Sequence, residues 1–180
     1  MIREFSVSPK PSNKKARTLT FLSFALSLVI FAISAVIKHY SGVVSLFSTL
    51  FLITGILLYT RYISPVYYYD IMVDSEGTPL FVVRAVNGKR GTTLCRIGLF
   101  EIMRVEREDR ATRRAHKTPK THAKYVYTPT LDPDVSYRIT TASRYERSEI
   151  LIEASDEFAA MLRAYSLEAK ELAHTIEEDY

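Results

Sequence analysis

The sequence predicts an α+β protein, in which a two-helix transmembrane hairpin precedes a seven-stranded, curved antiparallel sheet or partly open barrel with a C-terminal amphipathic helix. Three observations predict it. Two long uncharged apolar runs occupy the first third of the chain, an apolar period of two runs through the middle, and a period near 3.6 begins after residue 154. The 180 residues carry a formal net charge of +4, but only seven of their 44 charged side chains fall within the first 60 positions. One cysteine, Cys95, excludes a disulfide framework and a cysteine-based zinc site. Six glycines and seven prolines exclude collagen-like and low-complexity chains.

Residues 18–37 (TLTFLSFALSLVIFAISAVI) and 43–60 (VVSLFSTLFLITGILLYT) contain no charge. About 20 residues of helix cross a hydrocarbon core, and only a helix satisfies its own backbone there. Each run is therefore expected to span, with 38–42 as a short extracytoplasmic loop. Ser23, Ser27, Ser34, Ser45, Ser48, Ala32, Ala35 and Gly55 are small enough to let the two helices approach. Ala32-Ile33-Ser34 has the small residues of a signal-peptide cleavage site, but the run exceeds the usual apolar core of such peptides, so it is read as retained. Residues 1–17 form a basic flank. Arg3, Lys10, Lys14, Lys15 and Arg17 precede the first span and Lys38 alone follows it, so Lys14, Lys15 and Arg17 are read as topogenic. Both termini are then cytoplasmic at the inner membrane, and Cys95 lies in a reducing compartment.

Ser64-Pro65 ends the second helix, and the domain of residues 64–180 follows. In 66–73 (VYYYDIMV), Tyr67, Tyr69, Ile71 and Val73 share one face, with Tyr68 and Asp70 on the other. Residues 74–79 form a turn, 80–86 a second strand, and Asn87-Gly88-Lys89-Arg90-Gly91 a hairpin connection. Strands at 92–97 and 99–106 are separated by a break or bulge at Gly98. Residues 107–123 lack a period and read as a long loop, and further strands follow at 123–128, 135–141 and 148–154. Ser155 is the expected N-cap of the last helix, with Asp156 and Glu157 in its first turn. Phe158, Met161, Leu162, Tyr165, Ala169 and Leu172 form its apolar stripe.

This order of elements over residues 66–172 resembles the pleckstrin-homology-like (PH-like) fold, and with two preceding spans it resembles the bacterial membrane-anchored PH-like proteins. The resemblance implies a binding scaffold without catalysis. In animal members the first two strands and their connecting loop supply basic residues for phosphoinositides. Here that loop carries Asp74 and Glu76 and neither lysine nor arginine, so headgroup recognition at that place is not implied.

No catalytic constellation or cofactor motif is read. Cys95 shares a strand face with Ile97 and is expected to be a buried, inert thiol. His116 and His122 lie six apart in the presumed loop without further metal ligands, and His39 and His174 are read as solvated. The segment NGKRGTT (87–93) lacks the phosphate-loop spacing and lies between strands. Tyr59 and Tyr62 read as an interfacial belt, and the Tyr67-Tyr68-Tyr69 run as the start of the sheet, about four residues beyond the span.

The feature that stands out is RATRRAHKTPKTHAK (110–124), with Arg110, Arg113, Arg114, Lys117, Lys120 and Lys124 and no acidic residue. Three readings of it stay open: a solvated loop, a contact for anionic lipid heads, and a contact for nucleic acid or an acidic protein partner. Residues 61–180 carry 18 basic and 19 acidic side chains, a balance that does not fit a nucleic-acid binder. The leading functional expectation is a non-enzymatic interaction or scaffold module at the inner membrane with an unidentified protein partner. The alternative is an accessory subunit of a transporter or membrane enzyme complex that contacts its partner through the spans.

Overall fold

The computed structural model describes residues 4–10, 13–37, 41–143 and 147–178, with 41 and 174–178 described by backbone alone. Arg3 and residues 38–40, which include Lys38 and His39, lie outside the described residues, as does the side chain of His174. The architecture is α+β, with two apolar helices followed by two four-stranded sheets. The chain separates into two compact units, residues 11–65 and residues 1–10 with 66–180.

In the first unit α1 (Lys14–Val36) and α2 (Ser41–Leu58) form a hairpin, and α2 continues into a five-residue π-helical turn, Tyr59–Ile63. Both helices are long and apolar enough to cross a bilayer. Lys14, Lys15 and Arg17 stand in the first turns of α1, so the helix begins inside the stretch read as flank. The hairpin is inside out compared with a water-soluble helix pair. Ala16, Thr20, Ser23, Ser27 and Ser48 are buried, while Phe21, Leu28, Phe31, Val36, Leu46 and Leu57 are exposed. Small polar residues let the backbones approach and bulky apolar ones face outward, the pattern of helix pairs that pack in lipid. Ser27 Oγ donates to the Ser48 carbonyl at 2.9 Å and Ser48 Oγ donates back to the Ser27 carbonyl at 2.8 Å. A Cβ on Gly55 would come within 2.8 Å of the Phe24 ring, so the ring packs where only a glycine leaves room for it. Of the small residues named from the sequence, Ala32 and Ala35 face outward instead. Asn13 Nδ2 donates to the Tyr62 carbonyl at 2.7 Å, tying the start of α1 to the end of α2.

The second unit is built on two sheets. The first runs β1 (Phe5–Val7), β2 (Val66–Val73), β3 (Pro79–Asn87) and β4 (Arg90–Gly98), all antiparallel neighbours in that order. β1 lies within the segment expected to be only a basic flank. It pairs with β2 through Phe5/Ile71, Ser6/Asp70 and Val7/Tyr69, so the helical hairpin is inserted between two adjacent strands. The chain then turns at a 3-10 turn, Leu99–Glu101, whose Glu101 carboxylate accepts from the Gly98 amide at 3.1 Å. The expected break at Gly98 is therefore a corner between sheets, and the next strand starts three residues later than expected.

The second sheet has the order β5 (Ile102–Asp109), β7 (Val135–Ala142), β8 (Arg147–Ile152) and β6 (His122–Val126). β6 runs parallel to β8, which departs from the all-antiparallel expectation. Residues 107–123 are not one loop. The first three complete β5, Arg110–Ala115 form a short helix α3, and His122 begins β6. The eight described strands form two sheets and not a closed barrel.

Helix α4 (Asp156–Glu178) is capped by Ser155, whose Oγ accepts from the Phe158 amide at 3.2 Å. Phe158 meets the rings of Phe5, Tyr69 and Phe81 at centroid distances of 6.2 to 6.3 Å, one from each of β1, β2 and β3. Arg163 Nε donates to the Val105 carbonyl at 2.9 Å on β5, so α4 engages both sheets. Leu162 and Ala169 are buried with Phe158, whereas Leu172 is 53% exposed and leaves the predicted stripe. The core joins Tyr67, Tyr69 and Ile71 with Phe81, Val83, Ile139, Ile150 and Ile152, the residues whose alternation marked the strands.

Two outcomes follow from these contacts. Replacing Ser27 and Ser48 together with alanine is expected to weaken the hairpin by about 1 kcal/mol, on the scale of interhelical hydrogen bonds in bilayers, read by equilibrium unfolding in mixed detergent micelles. Phe5→Ala is expected to destabilise residues 66–180 by about 1 to 2 kcal/mol through the lost apolar contact with Phe158, read by thermal unfolding followed at the tyrosine band.

Candidate functional site

The outer face of the second sheet carries most of the polar groups that the sequence singled out. Strand alternation sends Tyr137, Ile139, Ile150 and Ile152 into the core, so Ser136, Arg138 and Glu149 point to the other side. That side is not open to solvent. Glu108 on β5, Arg138 on β7 and Glu149 on β8 are 4%, 4% and 5% exposed. Arg138 Nη2 donates to Glu108 Oε2 at 2.7 Å, and its Nε lies 3.7 Å from Glu149 Oε2. A buried charge needs a partner of this kind, since an unpaired one is strongly destabilising.

Glu149 gathers the segment that follows α3. It accepts from Thr118 Oγ1 at 2.8 Å, His116 Nε2 stands 3.1 Å from its Oε2, and His122 Nδ1 stands 3.7 Å from its Oε1. The two histidines thus converge on one carboxylate. Among the described residues no group of three histidine, cysteine, aspartate or glutamate side chains is arranged to hold a metal ion. Burial by itself raises the Glu149 pKa, but the hydrogen bonds from Thr118 and His116 and the charge of Arg138 carry it below its ordinary value of 4.5.

The basic cluster divides into two groups. Asp109 caps α3 by accepting from the Thr112 amide at 2.7 Å, and the helix then presents three arginines to one carboxylate. Arg110 Nε lies 3.0 Å from Asp132, Arg113 Nη2 2.7 Å and Arg114 Nη2 3.2 Å. Arg110 also reaches Asp134 at 2.7 Å, and Arg113 adds bonds to Ser136 Oγ and the Pro133 carbonyl. The Arg113 side chain is only 12% exposed and serves as a clasp between α3 and the loop of residues 127–134. Arg114, at 70%, remains open on its outer side. Lys117, Lys120 and Lys124 are exposed and make no ion pair among the described residues. Four of the six predicted site residues therefore present positive charge outward, while Arg110 and Arg113 bind the fold together.

The partners Asp132, Glu108, Arg138 and Glu149 escaped the sequence reading. Arg138 and Glu149 sit at polar-face positions within otherwise apolar strands, which is the signal that was available. Pairing them required knowing that β7 lies between β5 and β8.

On the first sheet, a shallow depression of about 500 Å³ is lined by Met72, Asp74, Ser75, Val82, Arg84, Thr93 and Arg96. Its two guanidinium groups are already engaged, Arg84 with the buried Asp70 and Arg96 with Asp74 at 3.1 Å. Asp74 also accepts from the Glu76 and Thr78 amides at 2.9 Å each, which accounts for the turn between β2 and β3. Cys95 is half-buried on β4, and burial pushes its thiol up to about 11, so it is protonated at neutral pH.

A buried and a half-buried carboxylate give opposite pH behaviour. Glu149, held below its ordinary value, stabilises the fold above about pH 4.5, and that contribution is lost as the pH falls through its native pKa. Glu153, raised by burial despite its bonds to Thr130, contributes in the opposite sense, favouring the fold when protonated and less so as the pH rises. Thermal unfolding at pH 7.5 should therefore show Glu149→Gln losing about 1 to 3 kcal/mol and Glu153→Gln unchanged or more stable, with the acid-induced loss shallower in the Glu149 variant. No protein-family model, curated protein or solved structure matches the chain.

Proposed function

We propose that the chain is a membrane-anchored, non-enzymatic interaction module that presents a PH-like domain at the cytoplasmic face of the cell membrane. The observation that supports it best is the pairing of β1 with β2 around the apolar hairpin. If α1 and α2 cross the bilayer, this pairing requires residues 4–10 and 66–180 to lie on the same side, which two crossings satisfy and cleavage after α1 would not. The basic residues before α1 favour the cytoplasmic side. Two sheets with a C-terminal helix across them accord with a PH-like arrangement, to which β1 is an addition and from which the parallel seat of β6 departs.

In this reading Arg114, Lys117, Lys120 and Lys124 form the contact face. The charge of the three lysines is free for an anionic surface and Arg114 adds its outer side while touching Asp132, whereas Arg110 and Arg113 are committed to Asp132 and Asp134. The role is one of assembly: the hairpin holds the domain at the bilayer and the lysine face selects what docks there.

Cysteines introduced at Gly42 and Ser143 test the topology in intact cells. An impermeant maleimide should label Gly42→Cys alone, and labelling of Ser143→Cys from outside would refute the reading. For the contact face, a photo-crosslinking residue at Lys120 should give a discrete adduct, to a protein or an anionic lipid, that falls at least fivefold in the Lys117→Gln/Lys124→Gln background. An unchanged adduct would remove the lysines from the function.

A further inference from the structure

We propose that the β3–β4 turn, with Lys89 and Arg90 at its tip, is a second contact with the membrane, resting on anionic headgroups and setting the orientation of the sheet domain. The inference rests on the membrane-anchored reading and deepens it. Its basis is the register of the first sheet. Val66, where the chain enters β2, pairs with Val86, and the next residues of β3 lead directly into the turn. The turn therefore lies at the same end of the sheet as the chain's link to α2. β1 runs antiparallel to β2, so its outgoing end, at Val7, is also at that end. Both covalent links to the hairpin leave from one end of the sheet.

The link after α2 is short. Only Ser64 and Pro65 separate the π-helical turn ending at Ile63 from Val66. Three virtual bonds of 3.8 Å hold the Val66 Cα within about 11 Å of the Ile63 Cα. β4 lies two strand spacings from β2, about 10 Å along the sheet. Tyr59, Arg61 and Tyr62 precede the link and have the chemistry of residues at headgroup level. The side chains at positions 89 and 90 thus begin within reach of the layer where anionic headgroups reside.

The tip is built to project. Asn87 and Arg90 pair across a two-residue connection, Gly88-Lys89. Gly88 has φ +61, which a glycine at the first central position of a hairpin adopts without strain. Lys89 and Arg90 are exposed and make no ion pair among the described residues.

The charge on the two ends of the sheet is opposite in sign. Residues 7–10, 66–69 and 85–93 contain Lys10, Lys89 and Arg90 and no carboxylate, and the neighbouring Arg84 is neutralised by Asp70. The far turn holds Asp74 and Glu76, and Glu4 precedes β1 on that side; Arg96, paired with Asp74, leaves that end net negative. An anionic surface attracts the first end and repels the second. This place differs from the β2–β3 loop at which the fold's animal members bind phosphoinositides, and it asks only for negative surface charge.

The test uses the full chain in lipid nanodiscs of phosphatidylcholine, with or without 30% phosphatidylglycerol, carrying nitroxide quenchers on a fraction of the headgroups. A fluorophore is placed on Thr92→Cys or on Ser75→Cys, each in a Cys95→Ala background. In anionic discs, quenching at position 92 should be at least threefold stronger than at position 75. Lys89→Gln/Arg90→Gln should reduce it at least twofold while leaving thermal unfolding unchanged. Equal quenching at the two positions, or quenching at position 92 that is the same in neutral discs and in the double variant, overturns the proposal. Co-elution of the protein with the discs is scored first. A chain that fails to enter them refutes membrane anchoring, whereas one that enters without charge-dependent quenching refutes only the turn contact.

Discussion

Asp70 is 3% exposed on the outer face of the first sheet, with Arg84 of β3 paired to it and the Ser6 hydroxyl of β1 donating to its other oxygen. This three-way contact pins the N-terminal strand to the strand that follows the helical hairpin, and much of the architecture depends on that pairing. A buried carboxylate with both oxygens engaged has little freedom to accept another register, because a one-residue slip would leave it facing the apolar core. With the register held, Phe5 meets Phe158, and the first turn of α4 gains a contact from a strand 150 residues earlier in the chain. Helical insertion between adjacent strands thus becomes part of the sheet's own closure. The cost is a pairing between strands separated by the whole hairpin, and contacts of such long sequence separation carry a larger loop-closure entropy.

The two units use polar groups for different ends. In the helical hairpin the buried polar atoms are serine hydroxyls that bond to backbone carbonyls of the facing helix. No hydrophobic drive pulls two helices together in lipid, so close approach and a few hydrogen bonds decide the crossing. In the sheet domain the buried polar layer is ionic. Glu108, Arg138 and Glu149 lie beneath α3 and residues 116–118, at positions where apolar side chains would pack with less desolvation cost. What the ions provide is direction: Glu149 accepts from Thr118 and meets His116, so the covering segment has one seat on the sheet.

Most of the elements were legible in the sequence because each announces itself locally. The uncharged runs, the alternation of Tyr67, Tyr69 and Ile71, the glycine-containing hairpin connection within residues 87–91, and Ser155 before the amphipathic stripe are all short-range signals. What was not legible depended on distant partners. β1 is three residues long, too short to show a period, and exists because β2 offers it an edge. α3 has six residues, below what an isolated helix sustains, and it persists through the Asp109 cap and the clasp of its arginines on Asp132. The parallel seat of β6 beside β8 is invisible to a reading that follows hairpins, since alternation reports which face is buried and not which strand is next. The candidate site shared this fate in part. Its cations were visible as a run, whereas the division between the two that hold α3 in place and the four that face outward was set by Asp132 and Asp134, some twenty residues on.

That division changes how the net charge of the basic run is understood. Six cations in fifteen residues suggest a strongly positive surface, yet Asp132 neutralises one charge and Asp134 another, and Arg113 is nearly withdrawn from solvent. A charge paired at 2.7 Å under partial burial offers little to a distant anion, because its field is cancelled by its neighbour beyond a few ångströms. The long-range attraction of this face is carried by Lys117, Lys120 and Lys124 with the outer side of Arg114, and salt screens such exposed charges over about 8 Å. A face of this kind acts on surfaces already close to it. In the membrane-anchored reading proposed above, a domain joined to an apolar helix by two residues finds an anionic surface close at hand, so short range is no handicap.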